Sequence, residues 1–438
     1  MDFALNEIKS TSKLACRTKR RLLVVVGAGA SVEFGMPSVN GVANILTEAA
    51  QDRYPLSEDA NSNLYKYLER TLIADWQIKI SPHLQKLPTF EDVLYAIFAL
   101  AAAFPGGRFT SALGAFVTAN PIPDINWFGT EPTKVDRNVL LEFGHFLVDV
   151  LLDAFRIRCR SAHLEKTVEL AKLRTLLAVL GDEFELSVVT LNYDDIVYRS
   201  GPSLETGFDL DGKFVDERIV RRPAWPCILH LHGSVHFDMR DDFTGFRGYG
   251  GLHDIHWRDD LNEQFQQNAE GRSSFSTVEG TDFPTSSIVA GYGKTTQILR
   301  RPFRTYYAEV DRLVAECDAA MFFGYGSSDI HLNLAFEKFR DSRRRPAVVI
   351  DFANDSAMNA NGLEMSAGHQ TVSSVLGLLQ TDKSSMTSLG YAIPKTVAAL
   401  KAASEFEISN DPDTPLAIWY SGMLAACDNV NKVLAQLR

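Results

Sequence analysis

The sequence predicts an α/β protein: a parallel sheet with a large helical insertion after its first strand and a helical extension at its C-terminal end. Three observations carry this reading. Short, largely apolar runs recur at Leu22–Val26, Leu186–Thr190, Cys227–Leu231, Ala319–Phe323 and Ala347–Ile350. Such runs suit strands buried on both faces, the signature of a parallel sheet covered by helices. Each passes directly into a cluster of Gly, Ser, Asn, Asp or His, and the long stretch after the first carries helical rather than alternating periodicity. The arrangement is Rossmann-like.

The first strand, Leu22-Leu23-Val24-Val25-Val26, ends in Gly27-Ala28-Gly29-Ala30-Ser31. Glycines there let the backbone turn sharply and approach a ligand, and a helix opening at Ser31 would aim its N–H groups at a phosphate. A full dinucleotide fingerprint wants a third glycine at position 32, which is Val32; the next glycine is Gly35. From residue 41 to 185 the pattern is helical. Thr89, Glu91 and Asp92 suit a helix start. Phe90, Val93, Leu94, Ile97 and Phe98 then form one apolar stripe, as do Val139, Phe143, Phe146, Leu147 and Val150. Leu164 to Leu180 reads as a further helix stopped by Gly181. Residues 236–285 lack periodicity and read as an irregular insertion, and Ile288–Ala290 as a short strand. Tyr306, Val310, Leu313, Val314 and Cys317 share a helix face, and Ser328 or Asp329 can cap the helix that follows Gly324–Ser327. The chain thus divides into a unit over residues 18–355, preceded by a polar arm, and a helical extension over 356–438 suited to self-association.

Lys and Arg number 44 against 55 Asp and Glu, a net charge of −11 that argues against broad binding of nucleic acid. Five scattered cysteines form no Cys-x-x-Cys pair, which suits reduced thiols and disfavours a cysteine zinc module. No signal-peptide core or membrane-length apolar run is present, so the expectation is a cytoplasmic protein with no membrane partner.

In a parallel sheet, ligands sit beyond the carboxyl ends of the strands. Those ends carry Gly27–Ser31, Asn192–Asp195, His232–Ser234, Gly324–Ser327 and Asp351, more polar residues than turn chemistry alone explains. Two other motifs are weaker. Gly293-Lys294-Thr295 resembles the end of a Walker loop, but its glycine would have to be Ile288, so Lys294 reads as a surface lysine in a turn. His230-x-His232 resembles the metal pair of some hydrolases, yet His236, His253 and His256 show no ligand spacing.

Gly27-Ala28-Gly29-Ala30-Ser31-x-x-x-Gly35-Met36-Pro37, Thr190-x-Asn192-x-Asp194, Leu231-His232-Gly233-Ser234 and Gly324-Tyr325-Gly326-Ser327 resemble, in order, the motifs of the sirtuin superfamily. The resemblance implies a sirtuin-like core that uses NAD as substrate. Gly27, Ala28, Gly29 and Ser31 would hold the pyrophosphate, with Pro37 beside them. Asn192 and Asp194 would sit around the nicotinamide ribose and His232 would be the catalytic histidine. Gly324, Tyr325 and Ser327 would face the adenosine, with Asp351 near its ribose. The four-cysteine zinc module of the deacylases is missing, and Val39-Asn40 replaces their Phe-Arg. Zinc-less cores with a helical insertion resemble the NAD-degrading effectors of bacterial anti-phage systems. That likeness implies a homo-oligomer and a partner such as a HerA-type ATPase.

Cleaving the nicotinamide bond passes through an oxocarbenium-like sugar and needs groups on the ribose hydroxyls and a base for water. Asn192 is both donor and acceptor. His232 can serve as a general base, and Asp194 can stabilise positive charge. The reading is an NAD glycohydrolase giving nicotinamide and ADP-ribose. The alternatives are an ADP-ribosyltransferase, a non-catalytic NAD or ADP-ribose sensor, and a metal-dependent hydrolase using His230 and His232.

Overall fold

The computed structural model describes residues 19–79, 88–104, 122–127, 131–201, 203–220, 225–240, 254–262, 275–276, 282–283, 286–291, 294–327, 329–337, 339, 344–353, 378–379 and 394–438. Strands β1 (Arg20–Val26), β2 (Phe184–Thr190) and β3 (Ile228–His230) are followed by two hairpin pairs. These are β4 (Phe237–Arg240) with β5 (Asp254–Trp257), and β6 (Phe275–Ser276) with β7 (Asp282–Phe283). Then come β8 (Ala319–Phe323), β9 (Ala347–Ile350), β10 (Glu407–Ile408) and β11 (Leu416–Trp419). The main sheet has seven strands in the order β10-β11-β9-β8-β1-β2-β3, parallel except for β10. The α/β class expected from the sequence is found, and the expected parallel sheet carries one antiparallel edge strand, β10.

Register places the site. Val26 pairs with Thr190 and with Phe323, Thr190 with His230, and Phe323 with Ile350. The strands therefore end in one row, and the residues just beyond them emerge side by side. Chain order runs outward from β1 in one direction through β2 and β3, and in the other from β8 through β9 to β11. The reversal lies between β1 and β8, the switch point where a doubly wound sheet opens a crevice.

Alternate residues of β1 feed two cores. Leu22, Val24 and Val26 pack under the insertion helices and the last two helices of the chain, while Leu23 and Val25 pack under the helix Phe303–Glu316. The insertion is helical at Val39–Arg53, Leu64–Lys79, Phe90–Ala103, Arg137–Glu165 and Thr167–Glu183. Thr89 and Asp92 close a capping box, Thr89 N–H donating to Asp92 Oδ2 at 2.7 Å, and the stripe Phe90, Val93, Leu94, Ile97, Phe98 is buried as its spacing demands.

Five local readings change. Ser31 opens no α-helix: residues Ala28–Ala30 and Val32–Phe34 are 3-10 turns, and the α-helix begins at Val39, capped by Ser38. Gly35, at φ 92°, takes the left-handed turn that interrupts any helix from Ser31. Gly181 lies within a helix running to Glu183, since one glycine costs only about 1 kcal/mol there. Residues 237–257 contain a hairpin whose four-residue strands are too short to show alternation. Ile288 makes a lone bridge to Gly233 in place of a strand. The C-terminal segment is not only helical: β11 pairs with β9, and β10 edges the sheet. The helix Gly422–Cys427 of that segment is tied back to the first loop, because Glu33 Oε2 accepts from the N–H groups of Met423 and Leu424.

Phe98, Trp419 and Tyr420 are core residues. Phe104 and Trp127 pack against the core half-buried, and Phe128 lies outside the described residues, as do residues 1–18 of the expected arm over 1–20, whose last residue, Arg20, opens β1. Cys159, Cys227, Cys317 and Cys427 are buried and form no disulfide with one another. Among the described residues no helix is long and apolar enough to cross a membrane.

Candidate functional site

The row of strand ends opens into a cleft of about 480 Å³, within the usual size of small-molecule sites. Of the residues proposed from the sequence, Gly27, Ala28, Gly29, Pro37, Asn192, Asp194, His232, Gly324, Tyr325 and Asp351 line it. Ser31 stands one step behind, bonded to Asn192. Ser327 does not line it; at φ 52° it turns the backbone, and its carbonyl accepts from Asn333.

The glycines serve the packing of two loops. Gly27 N–H donates to Phe323 O at 2.9 Å and Gly29 N–H to Gly324 O at 3.1 Å. A Cβ on Gly27 would stand 2.6 Å from Gly324 O, and Gly324, at φ 51°, presses on Gly29 and Ala30. The missing side chains thus let the loops after β1 and β8 interlock. Ala30 N–H and Ser31 N–H donate to Gly27 O and Ala28 O, so these amides are used by the fold. An exposed helix start at the cleft comes later than expected, at Val39, beside Pro37.

Asn192 binds the same loop. Its side-chain amide donates to Gly27 O and to Ser31 Oγ, both at 3.0 Å. Beyond Asn192, Asp194 accepts from Ile196 N–H at 3.1 Å. Burial pushes its carboxyl up to about 6, against the pull of the Ser31 hydroxyl and the Ile196 N–H. The adjacent Asp195 points elsewhere. Burial opposes its charge, but His163 at 3.0 Å and His236 at 3.4 Å hold it well below the usual carboxylate range.

His232 sits at the end of β3 with Nε2 2.9 Å from Asp329 Oδ2. Lys294 Nζ lies 2.9 Å from the same oxygen and 3.8 Å from Glu91 Oε2. Burial opposes ionisation of Asp329, yet the hydrogen bond and charge of His232, the charge of Lys294 and the Leu332 N–H keep it well below the usual range. Asp329 also caps the helix Ile330–Phe336, as expected, accepting from Leu332 N–H at 2.9 Å. Lys294, read from the sequence as a surface lysine, is therefore a correction: it is mostly buried and lines the cleft with Glu91, Asp92, Thr89 and Asp329. Those five residues were missed as site members. Helix-start signals marked Thr89, Glu91, Asp92 and Asp329 and a Walker-like turn marked Lys294, and none of these joins the five at one site.

His230 does not join His232. Its ring packs among Tyr198, Phe237 and Trp257, and burial pushes its pKa down to about 3, so it stays neutral. Among the described residues no group of three or more His, Cys, Asp or Glu side chains is placed to hold a metal ion.

Asp351 closes the far end of the cleft. Its Oδ1 accepts from Phe352 N–H at 2.8 Å, while Oδ2 is buried without a partner. Burial raises its pKa to about 6. A carboxyl raised above its unfolded value of 3.8 stabilises the fold fully below pH 4 and loses that contribution as pH rises through 6. Asp351→Asn is therefore expected to melt higher than the wild type at pH 7.5, by the equivalent of about 3 kcal/mol, with the gap closing toward pH 4. Thermal melts at the two pH values check this, and a gap that ignores pH would show that the charge is not what costs stability.

The fold and cleft define an α/β protein with a polar site at the switch point of its sheet. Residues 186–371 match the family model described as a SIR2-like domain. No curated protein matches the chain. Among solved structures, the chain is similar to one from a study of the structural basis of sirtuin substrate affinity, at 12% identity and TM-score 0.31, covering 76% of this chain and 83% of that one. It is also similar to a Sir2 homolog–NAD complex, at 11% identity and TM-score 0.30, covering 83% of this chain and 91% of that one.

Proposed function

We propose that the protein is an NAD glycohydrolase that cleaves NAD to nicotinamide and ADP-ribose, and that it depletes NAD as an effector of anti-phage defence, restrained by assembly with itself and with a partner. One observation carries the catalytic reading. The SIR2-like stretch contributes Asn192, Asp194, His232, Gly324 and Asp351, and all five meet at one cleft with the glycine loop that precedes it in sequence. The defence role rests on the motif resemblance alone.

The side chains fit such a substrate. The unpartnered Asp351 Oδ2 offers an acceptor for a ribose hydroxyl. Val39 and the helix dipole behind it give the cleft a positive end for a diphosphate. Asn192 fixes the glycine loop, Asp194 lies where a carboxylate can stabilise a cationic sugar, and His232 is the base for water. NAD cleavage exchanges the nicotinamide bond for one to water and releases one proton.

Incubation of the purified protein with NAD, followed by chromatography, tests the reading. Free nicotinamide and ADP-ribose are expected in equal amounts, and neither from Asn192→Ala. Nicotinamide released with ADP-ribose left on protein would replace hydrolysis by transfer. Intact NAD across protein concentrations, with and without the product of the neighbouring gene, would overturn both.

A further inference from the structure

We propose that Asp329 is the positioning residue of His232 and that Lys294 balances its charge, so that the proton of the attacking water is taken by His232 Nδ1. This rests on the glycohydrolase reading above. An ionised Asp329 can only accept, so the nitrogen 2.9 Å from its Oδ2 is the one that carries hydrogen, Nε2. The lone pair is then on Nδ1. The two aspartates after β2 do not compete for His232: Asp194 is engaged by Ile196 N–H, and Asp195 belongs to His163 and His236.

The carboxylate is held from several sides. Lys294, at the start of the helix Lys294–Gln297, shares Oδ2 with His232. Leu332 N–H holds Oδ1. Glu91, from the insertion helix, stands behind Lys294; Tyr325 donates its hydroxyl to Asn333 Oδ1 at 2.6 Å, and burial, with the charge of Asp329 added, pushes up the pKa values of Tyr307 and Tyr325. As His232 takes a proton from water it becomes cationic, and Asp329 stabilises that cation in a buried setting where the interaction is strong. The proton then leaves to solvent, the one proton the reaction releases. Lys294 shares the carboxylate and so offsets part of its charge.

The two partners therefore push His232 in opposite directions. The test is a 1H–15N titration of the histidine rings in the full-length protein, with His232 assigned by its loss in His232→Asn. Asp329→Asn keeps the helix cap, because asparagine also accepts there, and is expected to lower the His232 midpoint by about one pH unit. Lys294→Met is expected to raise it. In turnover, Asp329→Asn is expected to lower kcat at least tenfold with little change in KM, and Asp329→Glu to recover part of it. Midpoints that stay put, or that move the same way in both variants, would overturn the proposal. Should Asp329→Asn fail to fold, Lys294→Met decides: an upward shift supports the pairing and no shift overturns it. Opposite shifts in a protein that leaves NAD intact would sink the glycohydrolase reading and leave the pairing standing.

Discussion

Replacing His232 by alanine is expected to lower NAD cleavage by a factor of about 10²–10⁴ while the protein stays folded. The size follows from the loss of the proposed general base, which its neighbours are poorly placed to replace: His230 is sealed among aromatic rings and held neutral, and Asp194 is tied to the turn after Asn192. Folding should survive because the group left behind is not stranded. Asp329 retains Lys294 and the Leu332 N–H, so the substitution leaves no unpaired buried charge, the usual cause of severe destabilisation. Paired measurements of turnover and melting temperature check this. Near wild-type turnover would remove His232 from the chemistry, and a collapsed melting temperature would mark it as structural.

A chain ended after Phe352 is expected not to fold at all. Such a chain loses β10 and β11, and with β11 goes the pairing that covers the edge of β9. It loses the fully buried Trp419 and Ile418, with Leu416, Ala417, Tyr420, Val433, Leu434 and Leu437 also buried, from the two cores that sandwich the sheet. At roughly 1.5–3 kcal/mol for each large apolar side chain, the loss reaches the entire 5–15 kcal/mol that a domain has to spare. Trp419→Ala alone is expected to cost about 3–5 kcal/mol. Near-ultraviolet circular dichroism and denaturant melts check both. A truncated chain with a cooperative transition would show that β11 is an accessory.

The sheet centre was legible because its strands are long enough to be apolar throughout and because each ends in residues unfit for a buried strand. Leu22–Val26 and Ala319–Phe323 could hardly be anything else, and their order in the chain already placed Gly27 and Gly324 at one edge. Helices with a full stripe, such as Phe90–Phe98, were equally plain. What was not legible depends on distance along the chain. Lys294 has nothing beside it in sequence to say that Glu91 and Asp329 will meet it, and a lysine in a turn is by default solvated. Leu416–Trp419 is a short strand whose partner β9 lies far upstream, so no local pattern shows the pairing. The expected helix at Ser31 failed for a local reason, the left-handed Gly35, whose consequence the spacing of glycines alone did not reveal.

The placement of β1 at the centre of the sheet has a consequence for how the chain is made. Arg20 pairs with Phe184, 184 − 20 = 164 residues later, and β8, its other neighbour, is later still. At about 5–20 residues per second of synthesis, β1 waits on the order of 8–30 s before its first partner exists. Over that time five consecutive apolar residues with two open edges are what a growing chain presents, a template for pairing with the wrong strand. Contacts this distant also make the sheet slow to close once synthesis ends. The insertion helices are the segment made in that interval, and Leu22, Val24 and Val26 end up packed beneath them. Their earliest service is to the ribosome-bound chain, as a cover for a strand that has nothing yet to pair with.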